Sequence, residues 1–167
     1  MWHRLRVTLV VWLAMIGLDF VLNAAIFASL YQSGGPFMLT PLEAFRRIPL
    51  GYLAFLILAA AMVELSFRLR TTTVAAGVRL GALAGTALGT SWSLGLYSVA
   101  TLAPQTALAF AFIWLSLLTV AGGVAAAGLG GRPSLRGLTL RVIGVDLLGA
   151  IAVVALQSFG ILPTLTP

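Results

Sequence analysis

Cysteine and lysine are both absent from this chain, histidine occurs once, at His3, and charge of either sign is scarce. Without cysteine there is no disulfide, no thiolate metal site and no thiol nucleophile. With its one histidine placed before the first apolar run, the chain cannot supply paired intramembrane histidines for haem. A Ser-His-Asp triad would have to be built from a residue at the edge of the chain. Charged residues make up 8% of the 167 against 60% hydrophobic residues. That leaves too little polar surface to cover a soluble globule, so the composition implies an integral membrane protein. The acids are Asp19, Glu43, Glu64 and Asp146, and all ten basic residues are arginine. A net charge of +6 carried this way fits loops facing anionic lipid headgroups, and nothing else in the chain supports a nucleic-acid partner.

What the sequence has in abundance is long apolar runs. Crossing ~30 Å of hydrocarbon takes about 20 helical residues. Five segments meet that need: 7–30, 49–66, 74–101, 106–129 and 138–160. The reading is an all-α, single-domain bundle of about five transmembrane helices. A cleaved signal peptide competes for the first run, because a basic start precedes it. That run is about twice the usual 7–15 residues, contains Asp19 and Asn23, and ends without a small-x-small cleavage site, so a retained helix is expected. Arginine placement sets the orientation. With the N-terminus inside, Arg4, Arg6, Arg68, Arg70, Arg79, Arg132, Arg136 and Arg141 fall on the cytoplasmic side and only Arg46 and Arg47 outside. This asymmetry predicts a cytoplasmic N-terminus and an external C-terminus. The all-arginine, alanine-rich usage further points to a bacterial inner membrane.

The first external loop, "YQSGGPFMLTPLEAFRRIP", contains Thr40-Pro41-Leu42-Glu43, which has capping-box spacing with proline at the first helical position. A short interfacial helix over 41–48 is expected, turning Leu42, Phe45 and Ile48 to the apolar side and Arg46 and Arg47 to headgroups. The connector "GGRPSLRG" reads as a turn between the fourth and fifth spans.

Gly77, Gly81, Gly85 and Gly89 recur every fourth residue. At 100° per residue such a stripe drifts only about 40° per step, so it keeps to one face of the third span. In lipid, where hydrophobic drive between helices is weak, glycine lets two backbones approach to van der Waals contact. Gly122, Ala126 and Gly130, and one step on Gly123, Ala127 and Gly131, offer a matching small surface on the fourth span. The opposite face of the third span carries Arg79, Thr86, Thr90 and Tyr97. With one face seeking a close neighbour and the other polar, this helix is expected at the centre of the bundle.

The second signal is polar residues within apolar runs. Asp19 and Asn23 lie one turn apart, with Asp19 about 18 Å into the first span at 1.5 Å per residue. Asp146 and Gln157 share a face of the fifth span, and Glu64, Arg79 and Arg141 lie nearer the cytoplasmic edge. An unpaired charge at mid-bilayer costs at least ~2.5 kcal/mol, so these groups should point inward and find partners. Arg79 is expected to meet Asp146 or Glu64, and Asp19 to be either paired with an arginine or protonated. Two functional readings follow. In the first, buried polar pairs fix which helices pack, and the protein is a structural or accessory subunit of a membrane complex, bound to lipid and to other subunits or to copies of itself. In the second, Asp19, Asn23 and Asp146 line a path, and the protein is a small proton- or cation-coupled transporter or channel. Enzyme chemistry is not expected: two aspartates sharing a proton can activate water, but "IGLDF" and "VIGVDLLG" lack the Gly-x-Gly-Asp motif of intramembrane aspartyl proteases. No cofactor or metal is implied.

Overall fold

A computed structural model of the chain describes residues 1–32, 39, 41–131 and 133–163. All its elements are helices: α1 (Trp2–Val21), a π-helical turn (Leu22–Ile26), α2 (Ala28–Gln32), α3 (Pro41–Arg68), α4 (Val74–Val99), α5 (Pro104–Gly130) and α6 (Leu135–Ser158). Four helical stretches, Trp2–Ile26, Leu42–Arg68, Pro104–Gly130 and Leu135–Ser158, are long and apolar enough to cross a membrane. α4 has the length, at 26 residues, but not the same apolarity. Its glycines, its serines and threonines and Arg79 dilute it.

Local chemistry explains the ends. Thr73 Oγ1 accepts from the Ala76 N–H at 3.3 Å to start α4, and Ser134 Oγ accepts from the Gly137 N–H at 3.3 Å to start α6. Pro104 opens α5, where its missing N–H costs nothing, and Gly131 closes it at φ +71°, a conformation that suits glycine. The expected division into an interfacial helix over 41–48 and a span over 49–66 does not hold. Both belong to α3, which runs through Pro49 without a break. Proline deprives the ladder of one N–H, a loss that membrane helices tolerate when the freed carbonyl is satisfied locally. Glu43 stands in the first turn of α3, where its charge suits the helix dipole. Thr40, the other half of the expected capping box, lies outside the described residues, as does Arg132.

The core lies among α1, α3 and α5. Val7, Val11 and Met15 of α1, Ala59, Met62 and Val63 of α3, and Leu117, Leu118 and Ala121 of α5 form one buried cluster. A smaller cluster joins Val10 and Ala14 of α1 to Ala127 of α5 and to Leu138 and Val142 of α6. α1 is thus flanked by α3, α5 and α6, and α5 touches both sides of the molecule. Between α1 and α3, Trp12 Nε1 donates to the Tyr52 carbonyl at 2.7 Å. Replacing Trp12 by Phe keeps most of the ring and removes the donor. The expected cost is about 1 kcal/mol in the unfolding free energy measured in detergent, the usual size of such a bond. No change would show that this bond does not contribute to the α1–α3 contact.

α4 is not at the centre. It packs along α5 and barely touches any other element. Its five buried residues are Gly77, Gly81, Gly85, Gly89 and Ser93, a single stripe. Along that stripe the nearest part of α5 falls from Gly122 and Ala126, to Leu118, to Leu115, to Ala111, as expected for an antiparallel pair. A Cβ at Gly81 would overlap the Leu118 carbonyl oxygen, and one at Gly85 would come within 2.7 Å of Leu115 Cα. The two backbones are therefore in direct contact. Among the described residues, α4 meets α5 through its glycine face and leaves the face of Arg79, Thr86, Thr90 and Tyr97 exposed.

Candidate functional site

The polar residues singled out from sequence separate into three groups. At the arginine-rich end of the bundle, Glu64 of α3 accepts from Arg4 Nη1 of α1 and from Arg68 Nε, each at 2.8 Å. The Arg4 guanidinium also lies 4.4 Å from the centre of the Phe67 ring. Glu64 therefore takes Arg4 and Arg68, the latter one turn away on its own helix, rather than Arg79. Arg79 on α4 and Arg141 on α6 are exposed and belong to neither ion pair among the described residues. Nearby, His3 Nε2 lies 3.1 Å from the Gly128 carbonyl oxygen. That oxygen only accepts, so Nε2 donates and helps cap the last turn of α5.

The second group joins α6 to α1. The half-buried carboxyl of Asp146 rests against Gly17, so closely that a Cβ there would overlap it. Higher up, Gly149 faces Val21, and Gln157 Nε2 donates to the Ala24 carbonyl at 3.2 Å and to the Pro163 carbonyl at 3.3 Å. Asp146 and Gln157 thus share the α1-facing side of α6, which runs parallel to α1.

The third group is Asp19 with Asn23. Asn23 Nδ2 donates to Asp19 Oδ1 at 2.8 Å and to the Asp19 backbone carbonyl at 2.9 Å. Asn23 is itself in the π-helical turn, where Phe27 N–H reaches back five residues to the Leu22 carbonyl at 2.8 Å. A side chain that claims a backbone carbonyl competes with the regular ladder, which fits a wide turn beginning here. The pair lines an open cleft of about 370 Å³. Phe55 of α3, Trp92 and Leu96 of α4, and Phe110, Ile113, Trp114 and Leu117 of α5 complete it. Phe55 and Trp114 meet edge to face, with ring centres 6.3 Å apart and planes at 87°.

Asp19 and Asp146 are not brought together. Gly17, which marks where α6 sits on α1, and Asp19 are two residues apart, which is 200° around the helix. The Asp146 carboxyl reaches α1 from α6 at Gly17, and Asp19 lines the cleft. A proton-sharing pair needs both acids in one place, and this arrangement does not give that. Nor does an arginine meet Asp19: neither ion pair among the described residues includes it. The sequence reading missed Gly17, an isolated glycine with no periodic companion, and the aromatic walls of the cleft, which come from three different helices. No known family model, curated protein or solved structure matches this chain.

Proposed function

We propose that this protein is a structural or accessory subunit of a membrane assembly, and that the outer face of α4 is where a partner helix packs. On this reading all five long helices cross a bacterial inner membrane, with the arginine-rich end and the N-terminus cytoplasmic and the C-terminus outside. The observation that carries it is the position of α4. A long helix with a polar outer face is held chiefly by one neighbour, with Arg79, Thr86, Thr90 and Tyr97 turned away from the bundle. Polar side chains facing hydrocarbon are costly, and a neighbouring helix with small or polar residues relieves that cost.

Native mass spectrometry of the protein released from its own membranes tests this. A stoichiometric complex with a second subunit is the expected result, lost when Thr86 and Thr90 are both replaced by Phe. A lone monomer overturns the proposal, and a complex made only of this chain reassigns the α4 face to self-association.

The rival reading is a small proton- or cation-coupled transporter or channel. Its support is narrower than the sequence implied, since only Asp19 and Asn23, not Asp146, line the open cleft. Proteoliposome flux that is abolished by Asp19→Asn would favour it over the subunit reading.

A further inference from the structure

We propose that the cleft beside Asp19 binds a monovalent organic cation with an apolar body, a substituted ammonium or phosphonium carrying aromatic or hydrocarbon groups. Four features of the site converge on that chemistry. Its size, about 370 Å³, is within the range of pockets that hold small molecules. Among the described residues its lining is hydrocarbon and aromatic except for one carboxylate and one amide, with no arginine or histidine. An anionic ligand would therefore meet only Asp19's charge, and a neutral apolar one would leave that charge uncompensated in a poorly solvated place.

The carboxylate is also pre-positioned. Asn23 holds Oδ1 at 2.8 Å and the backbone carbonyl of Asp19 at 2.9 Å. Oδ2 meets no donor among the described residues, so an ammonium or phosphonium charge is drawn to that oxygen. The same cleft is lined by Phe55, Trp92, Phe110 and Trp114. Aromatic faces attract a cation within about 6 Å, most strongly when the ligand is desolvated, and they add apolar area for its substituents. Finally, the cleft is open and is lined by residues of α1, α3, α4 and α5, of which α3 and α4 barely touch each other. Binding here requires neither the proposed partner nor translocation.

The test uses two probes of one shape and opposite charge, tetraphenylphosphonium and tetraphenylborate, titrated into the purified full chain in neutral detergent, with tryptophan emission as readout. The phosphonium is expected to bind saturably and quench the emission; the borate, at the same concentrations, is not. Asp19→Asn should weaken phosphonium binding at least tenfold, Asp19→Glu should retain most of it, and Trp92→Ala should weaken it several-fold. Equal binding of both probes, equal affinity in the Asp19→Asn protein, or no saturable binding by the unmodified chain each overturns the proposal. The Asp19→Glu and Trp92→Ala variants keep the test decisive if Asp19→Asn fails to fold.

Discussion

Gly81→Ala is expected to weaken the molecule by about 2 kcal/mol, while Gly95→Ala, on the same helix, leaves it unchanged or stabilises it. In solution glycine is the poorer helix former by roughly 0.5–1 kcal/mol, so on propensity alone both changes should help. The difference lies in what the new methyl meets. At Gly95 nothing lies within 4 Å. At Gly81 the methyl would overlap the Leu118 carbonyl oxygen and come within 2.8 Å of its carbon. Those atoms are α5 backbone and cannot rotate aside, so the helices must part, and overpacking of this kind costs about 1–3 kcal/mol. Parting the helices also loses contact at Gly77 and Gly85, because the stripe is in register along its whole length. Gly81→Leu should therefore detach α4 over most of its length. The absence of native cysteine makes this easy to follow. Val78 and Gly123 face each other across the pair, and a Cβ at Gly123 would lie 3.1 Å from Val78 Cγ2. A chain carrying Val78→Cys and Gly123→Cys should form an intrachain disulfide under mild oxidation and lose it when Gly81→Leu is added. Retained cross-linking together with unchanged stability would show that the stripe does not hold α4 in place.

The same stripe shows how far sequence reasoning reaches. Periodicity places glycines on one face of one helix, and the small residues of the next helix identify its mate, because both patterns are local and lipid gives close packing its value. The expected central position of α4 fails for a related reason. A polar face opposite a small-residue face says that two surfaces want company, but it does not say that both companions belong to the same chain. The sequence separates an interfacial helix over 41–48 from a span over 49–66, whereas α3 continues through Pro49. The depth of an acid along its helix follows from the rise per residue. Its azimuth depends on how neighbouring helices are rotated, and that is decided by packing. Thus Asp19 and Asp146 face opposite sides of α1, and Glu64 pairs with Arg4 and Arg68. The cleft was invisible for the same reason, since Phe55, Trp92 and Trp114 are scattered along three helices with no shared pattern.

A double-substitution cycle at Gly17 and Asp146 should give a coupling of at least 1 kcal/mol. α6 is attached chiefly to α1 and hardly to α5, so this contact governs whether the last helix stays docked. Gly17 makes the tightest glycine contact between the two helices: a Cβ there would overlap the Asp146 carboxyl, and a Cβ at Gly149 of α6 would lie 2.9 Å from Val21 Cγ2. Gly17→Ala alone is expected to cost about 1–2 kcal/mol, because the carboxyl must swing away or the helices must separate. Asp146→Ala alone removes an acid that takes part in neither ion pair among the described residues, and it should be close to neutral. In the double variant the added methyl occupies the space the carboxyl left, so most of the loss should return. Contacting residues typically show couplings of 0.5–3 kcal/mol, and distant ones add within a few tenths. Unfolding free energies of the four proteins in one detergent supply the measurement, and a Val21→Cys, Gly149→Cys pair reports docking of α6 independently. Simple additivity would separate Asp146 from Gly17 and remove the basis for placing the two aspartates on opposite sides of α1. Strong coupling would fix Asp146 as a packing residue of the α1–α6 contact, leaving Asp19 as the acid that faces the cleft.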